Sequence, residues 1–257
     1  MGNDTMDLGQ LASLLGRDAR ELGKLANRGH LPGRKIGGEW RFATAEIHHW
    51  LEGQMPALSD AELRALDPTT RTGETPAIAK LLRVECIDLA LPARTRQSLL
   101  RELVKLAERS NLIWDPAAIR DAVESRERMA STARPEGCAI PHPRRRIPNT
   151  LGDSIIALGR TTSGIPFGAA HGILTDLFFL ICCNDDALHL RIQARLARIL
   201  RLPDLLDSLR RAETSLEAWE VIDRAERGLS GAGSSATASA QRTKRNMATT
   251  SHNRKHS

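Results

Sequence analysis

A chain of 257 residues with 41% apolar side chains is long enough for one large domain or two modest ones, each with its own buried core. Its longest apolar run, Gly172 to Cys183, is interrupted by Asp176 and falls short of the roughly 18 residues a membrane-spanning helix needs, and no basic-then-apolar leader follows Met1, so a cytoplasmic protein without membrane contact is expected. The net charge of +6 says less than its distribution: residues 1–52 carry 7 basic and 7 acidic side chains, whereas the tail from Leu229 carries 5 and 0, which makes overall basicity weak evidence for nucleic-acid binding.

In chain order, Asp7 with Gln10 and Asp18 with Glu21 have the spacing of two capping boxes and predict two short helices, Leu8–Leu15 and Ala19–Asn27, split by a turn at Gly16. Leu8, Leu11, Ala12 and Leu15 form the inner face of the first, and Leu22, Leu25 and Ala26 that of the second. Arg20, Gly23, Lys24 and Asn27 are left on the outer face of the second, and the charged and amide types among them suit phosphates and base edges. Next, GHLPGRKIGGEWRF predicts a β-hairpin, Leu31–Ile36 and Trp40–Phe42 about a Gly37-Gly38 turn, and Thr44 opens a third helix, Ala45–Glu52.

Helix, turn, helix, hairpin and helix within about fifty residues make a winged helix-turn-helix. Through the LASLLG helix, the RGHLPGRKIGGEWRF wing and the terminal EIHHWLE helix, residues 7–52 resemble the excisionase branch of the MerR-like DNA-binding domains. Leu8–Ala45 holds 7 basic and 3 acidic residues, so the face that would meet DNA is locally positive. The resemblance implies binding of double-stranded DNA through Arg20, Lys24, Asn27, Arg34, Lys35 and Arg41. A lone copy of so small a module should bind weakly, which implies a homodimer or several sites on the DNA.

Residues 53–75, rich in Pro, Thr and acidic side chains, are expected to be a linker with one short helix at Asp60–Leu66. Strands and helices then alternate. Helices are predicted at Ile78–Leu82, Arg94–Arg109, Pro116 to about Glu127 behind an Asp115 cap, Leu188–Arg201, Asp204–Ala212 and Ser215–Arg227. Strands are predicted at Cys86–Leu89, Cys138–Ile140, Ser154–Arg160 and Leu174–Cys183, the last a continuous apolar run suited to a strand covered on both faces. The pattern predicts an α/β chain: a small winged helix-turn-helix at 1–52, a linker at 53–75, and a three-layer α/β domain with a mixed central sheet at 76–228. The Ser/Ala/Thr-rich tail, 229–257, is expected to be disordered. Cys86, Cys138, Cys182 and Cys183 form no CxxC pair and lie in apolar segments, the pattern of reduced, buried thiols.

Within the second domain, GCAIPHPRRR (137–146) ends an apolar run at Pro141 and delivers His142 into a basic turn. Proline fixes φ and donates no ladder hydrogen bond, so His142 belongs at a strand end. Taken alone, these ten residues also fit an exposed loop histidine beside a solvated basic face. The segments SRERMASTARPEGCAIPHPR, TTSGIPFGAAHGILTDLFFLICC and ALHLRIQARLARIL, however, make residues 76–228 resemble the type-2 enzyme IIA (EIIA) components of the bacterial phosphoenolpyruvate-dependent phosphotransferase system (PTS), the mannitol, fructose and nitrogen-related class.

That resemblance implies a phosphorylated histidine in the AIPH motif, an arginine sixteen residues before it and a second histidine opening a later helix, which fall here on His142, Arg126 and His189. It also implies an HPr-type phosphocarrier as donor. The chemistry is coherent: a neutral imidazole is the nucleophile, a guanidinium and a helix N-terminus stabilise the charge on the transferred group, and Ser131, Thr132 and Arg144 are candidate secondary phosphate ligands. No cofactor or metal is required. Two departures stand out: Pro143 follows the histidine where the class commonly has Gly or Ala, and Ala133, Arg134, Pro135 and Glu136 replace a glycine-rich approach.

The expectation is a DNA-binding regulator that couples PTS status to transcription through His142. Competing readings are an inactive EIIA-like domain kept for docking or dimerisation, a transport EIIA, and a zinc hydrolase using His142, His171 and His189, which no HExxH motif or acidic ligand accompanies.

Overall fold

The computed structural model describes residues 5–67 and 76–229; residues 68–75 of the linker and 230–257 of the tail expected to be disordered lie outside the described residues, while Leu229, expected in that tail, ends the last helix. Strand β1 (Thr5–Met6) leads into helix α1 (Leu8–Leu15), where Asp7 and Gln10 close the expected capping box, and Gly16 ends the helix at φ 60°, a left-handed value natural to glycine. Asp18 caps α2 (Ala19–Asn27) one-sidedly, accepting from the Arg20 and Glu21 amides, rather than in a reciprocal box. Gly23, expected on the outer face, is half-buried, and a Cβ there would meet Leu8 Cδ2 at 3.5 Å, an ordinary van der Waals contact.

Strands β2 (Arg34–Ile36) and β3 (Glu39–Ala43) form the wing, with Gly37 and Gly38 in its turn at φ 62° and 86°. Strand β1 pairs with the other edge of β3. Helix α3 (Thr44–Gln54) follows β3 without an intervening residue, and Ser59 and Glu62 form a capping box on α4 (Asp60–Leu66).

In the second domain, α5 (Ile78–Leu81) precedes β4 (Leu82–Asp88), α6 (Arg96–Glu108), α7 (Pro116–Met129), β5 (Cys138–Ala139), β6 (Ile155–Ile165), β7 (Thr175–Cys182), α8 (Asp186–Ile199), α9 (Leu205–Arg211) and α10 (215–229). The sheet is mixed, in the order β4-β6-β7-β5, with only the central β6–β7 pair antiparallel. In β7, alternate residues serve opposite faces: Leu177, Phe179 and Ile181 join the core under α8, α9 and α10, while Phe178, Leu180 and Cys182 join the one under α6 and α7. A strand buried on both faces reads as an unbroken apolar run, which is why this one was legible. Strand β4 begins four residues earlier than expected, since an edge strand tolerates the exposed Arg83 and Glu85 that interrupt its apolar pattern. All four cysteines are buried and free.

The two domains share a core. Leu11, Leu15, Leu22, Phe42, Ile47 and Leu51 of the N-terminal module pack with Leu63 and Leu66 of α4 and with Leu190, Ala194 and Ala197 of α8. The segment read as linker thus contributes α4 to the seam, where Arg198 pairs with Asp60 at 3.1 Å and Arg201 donates to the Met55, Pro56 and Leu58 carbonyls.

Candidate functional site

The end of β5 positions His142. Pairing with β7 holds Cys138 and Ala139, the Pro141 carbonyl accepts from the Ile181 amide at 3.0 Å, and the imidazole Nδ1 lies 2.7 Å from the Ile140 carbonyl. A carbonyl only accepts, so Nδ1 carries the ring proton and the lone pair of the neutral ring sits on Nε2. Arg126 comes from the last turn of α7, tethered through Nη1 to the Ala130 carbonyl at 2.9 Å. His189 lies in the first turn of α8, where Asp185 caps the helix by accepting from the Leu188 amide, and its ring centre is 5.0 Å from that of His142. Three side chains far apart in sequence therefore converge.

They converge on a fourth group that the sequence reading did not single out. Glu52, from the last turns of α3, places Oε2 3.2 Å from His142 Nε2 and 3.6 Å from Arg126 Nη2, with Oε1 3.6 Å from His189 Nε2. His49, one turn back, adds Nδ1 at 3.5 Å from Oε2. The His142 and Glu52 side chains are only 3% and 4% exposed, so His142 is enclosed rather than facing solvent. The reason is tertiary: α3 is laid across the mouth of the pocket. The one hint in sequence was EIHHWLE, whose His49 and Glu52 share a helix face beside the core residues Ile47 and Leu51.

Burial disfavours charge on Glu52, but the groups at its oxygens, the cationic His189 among them, outweigh it and hold the carboxyl well below the usual carboxylate range. Burial pulls the His142 imidazole down from its ordinary value against the opposing pull of Glu52. For His189 burial also works against charge, yet the Cys183 thiol and Glu52 overcome it, and the imidazole pKa is pushed up to about 9. Near neutrality the site thus holds one anion, Glu52, two cations, Arg126 and His189, and a neutral His142.

The charges sum to one net positive charge, and the hydrogen bonds are incomplete as well. Among the described residues five buried side-chain polar atoms lack a hydrogen-bond partner, and four lie here: Glu52 Oε2, His142 Nε2, Arg126 Nε and His49 Nδ1. Arg126 Nε is an unmet donor and the site carries a surplus positive charge, so the surroundings suit an anion with more charge than a carboxylate has. Glu52, His142 and His189 also bring donor atoms within 4.8 Å of one another, a spacing a metal ion tolerates, but Arg126 adds a positive charge beside them, which favours an anion over a cation.

The secondary candidates are placed otherwise. Ser131 Oγ donates to the Phe167 carbonyl at 2.7 Å, Thr132 Oγ1 to Glu127 at 2.8 Å, and Arg144 is exposed with Nη1 3.9 Å from the Met129 sulfur. His171 lies exposed in a 3₁₀ turn, Ala170–Gly172. In the N-terminal module Arg20, Lys24, Asn27, Arg34 and Lys35 are exposed, Lys35 lies over the Trp40 ring at 5.3 Å, and Arg41 pairs with Glu39 at 2.8 Å.

Comparison with known proteins bears on this geometry. Residues 80–225 match the family described as phosphoenolpyruvate-dependent sugar phosphotransferase system, EIIA 2, and residues 5–55 match a helix-turn-helix domain family. The chain belongs to the EIIA type-2 family. It is 31% identical over 149 residues to a nitrogen regulatory protein of Bradyrhizobium diazoefficiens, covering 56% of this chain and 94% of that one. Against the fructose-specific EIIA component of Haloferax volcanii identity is 28%, covering 56% and 94% of the two chains. A fructose-specific EIIABC component of Bacillus subtilis is 26% identical over 57% of this chain, and there the match spans only 23% of the relative. The crystal structure of the nitrogen regulatory protein IIA-Ntr from Neisseria meningitidis superposes with a TM-score of 0.52 at 24% identity, covering 56% of this chain and 98% of that one, a likeness of fold. The chain is thus a helix-turn-helix domain joined to an EIIA type-2 domain. Among the described residues no helix is long and apolar enough to cross a membrane.

Proposed function

We propose that the EIIA domain accepts a phosphoryl group on His142 from an HPr-type carrier and that the winged helix-turn-helix, using Arg20, Lys24, Asn27, Arg34, Lys35 and Arg41, carries that state to double-stranded DNA. The observation that supports it most is the tethering of His142 Nδ1 to the Ile140 carbonyl, which leaves Nε2 as the nucleophile within reach of Arg126 and His189. In the reaction the Nε2 lone pair attacks the phosphorus of the carrier's phosphohistidine. The new N–P bond forms as the donor's breaks, and the departing imidazole keeps the electron pair. Arg126 and His189 meet the negative charge on the equatorial oxygens, a contribution made by positioning and electrostatics. Retention of the Nδ1 proton on the Ile140 carbonyl spreads the positive charge the ring acquires.

Incubation with phosphoenolpyruvate, enzyme I and HPr is expected to give acid-labile phosphate on the wild type and none on His142→Ala. Absence of label on the wild type and on a variant with an opened pocket would overturn the proposal. It would favour the second reading, an EIIA fold kept for docking, which Pro143 and the enclosure of His142 support.

A further inference from the structure

We infer that Glu52 is a built-in stand-in for the phosphoryl group: the N-terminal module docks by placing this carboxylate in the acceptor site, so docking and phosphorylation of His142 exclude one another. The inference rests on the acceptor reading above and adds its regulation.

Glu52 lies ninety residues upstream of His142 and belongs to the other domain, yet it touches all three groups of the acceptor site. Its Oε2 stands 3.2 Å from Nε2, the position that a phosphoryl group and its oxygens would occupy, so the two cannot be present together. Nor would a shift within the pocket suffice, since a phosphoryl dianion and a carboxylate forced together in a buried space repel strongly. The carboxylate offsets only one of the two positive charges, Arg126 and His189, and leaves Oε2, Nε2 and Arg126 Nε without hydrogen bonds, as a ligand would that holds the site without filling it. A phosphoryl group bonded to Nε2 uses that lone pair, offers an oxygen to the unmet Arg126 Nε donor and brings more negative charge to Arg126 and His189, so it is the stronger occupant.

The rest of the seam is built to hold α3 down independently of Glu52. Leu190, Ala194 and Ala197 of α8 lie in the N-terminal core, and Arg198 and Arg201 of the same helix and its end grip Asp60 and the carbonyls of Met55, Pro56 and Leu58. His189 stands on α8 beside Leu190 and one turn before Gln193, so the helix that contributes to the pocket is also the docking platform. On the other side, α3 follows wing strand β3 directly, so displacement of Glu52 moves the segment that carries Arg34, Lys35 and Arg41. The geometry therefore couples an event at His142 Nε2 to the DNA-facing hairpin through one carboxylate.

The test compares full-length wild type, Glu52→Gln, Glu52→Ala and Arg201→Ala, the last loosening the seam away from the pocket. Glu52→Gln keeps the shape of the plug without its charge, so the comparison survives if the alanine variant folds poorly. With phosphorylated HPr as donor, both Glu52 variants should accept phosphate about tenfold faster than wild type, the rise expected when the wild-type site is open about one tenth of the time. Arg201→Ala should move in the same direction. Inorganic phosphate, titrated calorimetrically, should bind Glu52→Ala more tightly than wild type, and phosphorylated wild type should show a larger radius of gyration by small-angle scattering. Label appearing at equal rates in wild type, both Glu52 variants and Arg201→Ala would overturn the occlusion while leaving His142 as acceptor. No label on any variant would overturn the acceptor reading and this inference with it, and full labelling without a change in radius of gyration would overturn release of the module.

Discussion

At the scale of single residues, the proposed acceptor site is governed by two histidines whose environments push them apart. His142, tied at Nδ1 and buried, is held neutral, while His189, between the Cys183 thiol and Glu52, is held protonated up to about pH 9. Their pH signatures have opposite signs. A histidine with a lowered folded-state pKa costs stability as pH falls below its ordinary 6.5, because the unfolded chain takes the proton first. One with a raised pKa contributes stability that is complete below about 6.5 and lost as pH rises through about 9. The alkaline window therefore carries the His189 contribution, to which the buried Cys86, Cys138 and Cys182 thiols, pushed up by burial, add a loss toward pH 9; His189 also faces Gln193 at 2.9 Å and, at longer range, His48. The thermal midpoint of the wild type should fall between pH 6.5 and 9, and His189→Gln should flatten that slope. Identical slopes would show that the imidazole is uncharged. The EIIA resemblance pointed to His142, Arg126 and His189 from their spacing, because each position is set by its own element; Glu52 was invisible because nothing local says which surface a terminal helix will meet.

At the scale of elements, the first two helices were legible residue for residue, because the Asp7 and Asp18 caps and Gly16 in the left-handed region are local signals; the Gly37-Gly38 turn was equally legible, but the first wing strand is shorter than expected, Arg34–Ile36, α3 runs from Thr44 to Gln54, and β1 was not anticipated. The ends of longer elements were less legible. Helix α8 starts two residues earlier than predicted because Asp185 caps it, and β6 runs on to Ile165 through the polar Thr161, Thr162 and Ser163, paired there with the far end of β7. The exposed cations of α2 and the wing make a testable electrostatic element. Removing one side chain that neutralises a phosphate should lower the slope of log K against log salt by about 0.9, so an Arg20→Ala, Lys24→Ala double variant titrated on a random duplex should lose a little under two units of slope. An unchanged slope would remove α2 from the DNA interface.

At the scale of the whole molecule, helix α8 ties three parts together. Its Arg195 forks onto both oxygens of Asp67 at 2.8 and 2.9 Å, donates to Glu226 of α10 at 3.1 Å and reaches the Pro76 carbonyl at 3.0 Å, while Glu226 in turn accepts from the Ile78 and Ala79 amides at the start of α5. These ionised side chains are nearly fully buried, so removing one partner leaves uncompensated charge. Arg195→Ala should cost about 3–5 kcal/mol in urea unfolding, the scale of a broken buried pair, and should loosen the N-terminal module as well as the EIIA domain. A loss below about 1 kcal/mol, as for a surface pair, would show that the network is solvated. No periodicity in the sequence announces this network, since arginines on an apolar helix read as solvated until the neighbouring chain is in place.

The sequence by itself determined two modules, the order of most of their elements and the strand end at His142, because helix caps, turn glycines and alternation act over a few residues; Arg126 and His189 came from the EIIA resemblance. Only the tertiary structure decided that His142 is enclosed, that Glu52 is its partner and that the intervening segment is part of the seam. Those facts depend on which faces meet across the chain, and burial and pairing of charge are properties of the contact rather than of either segment alone.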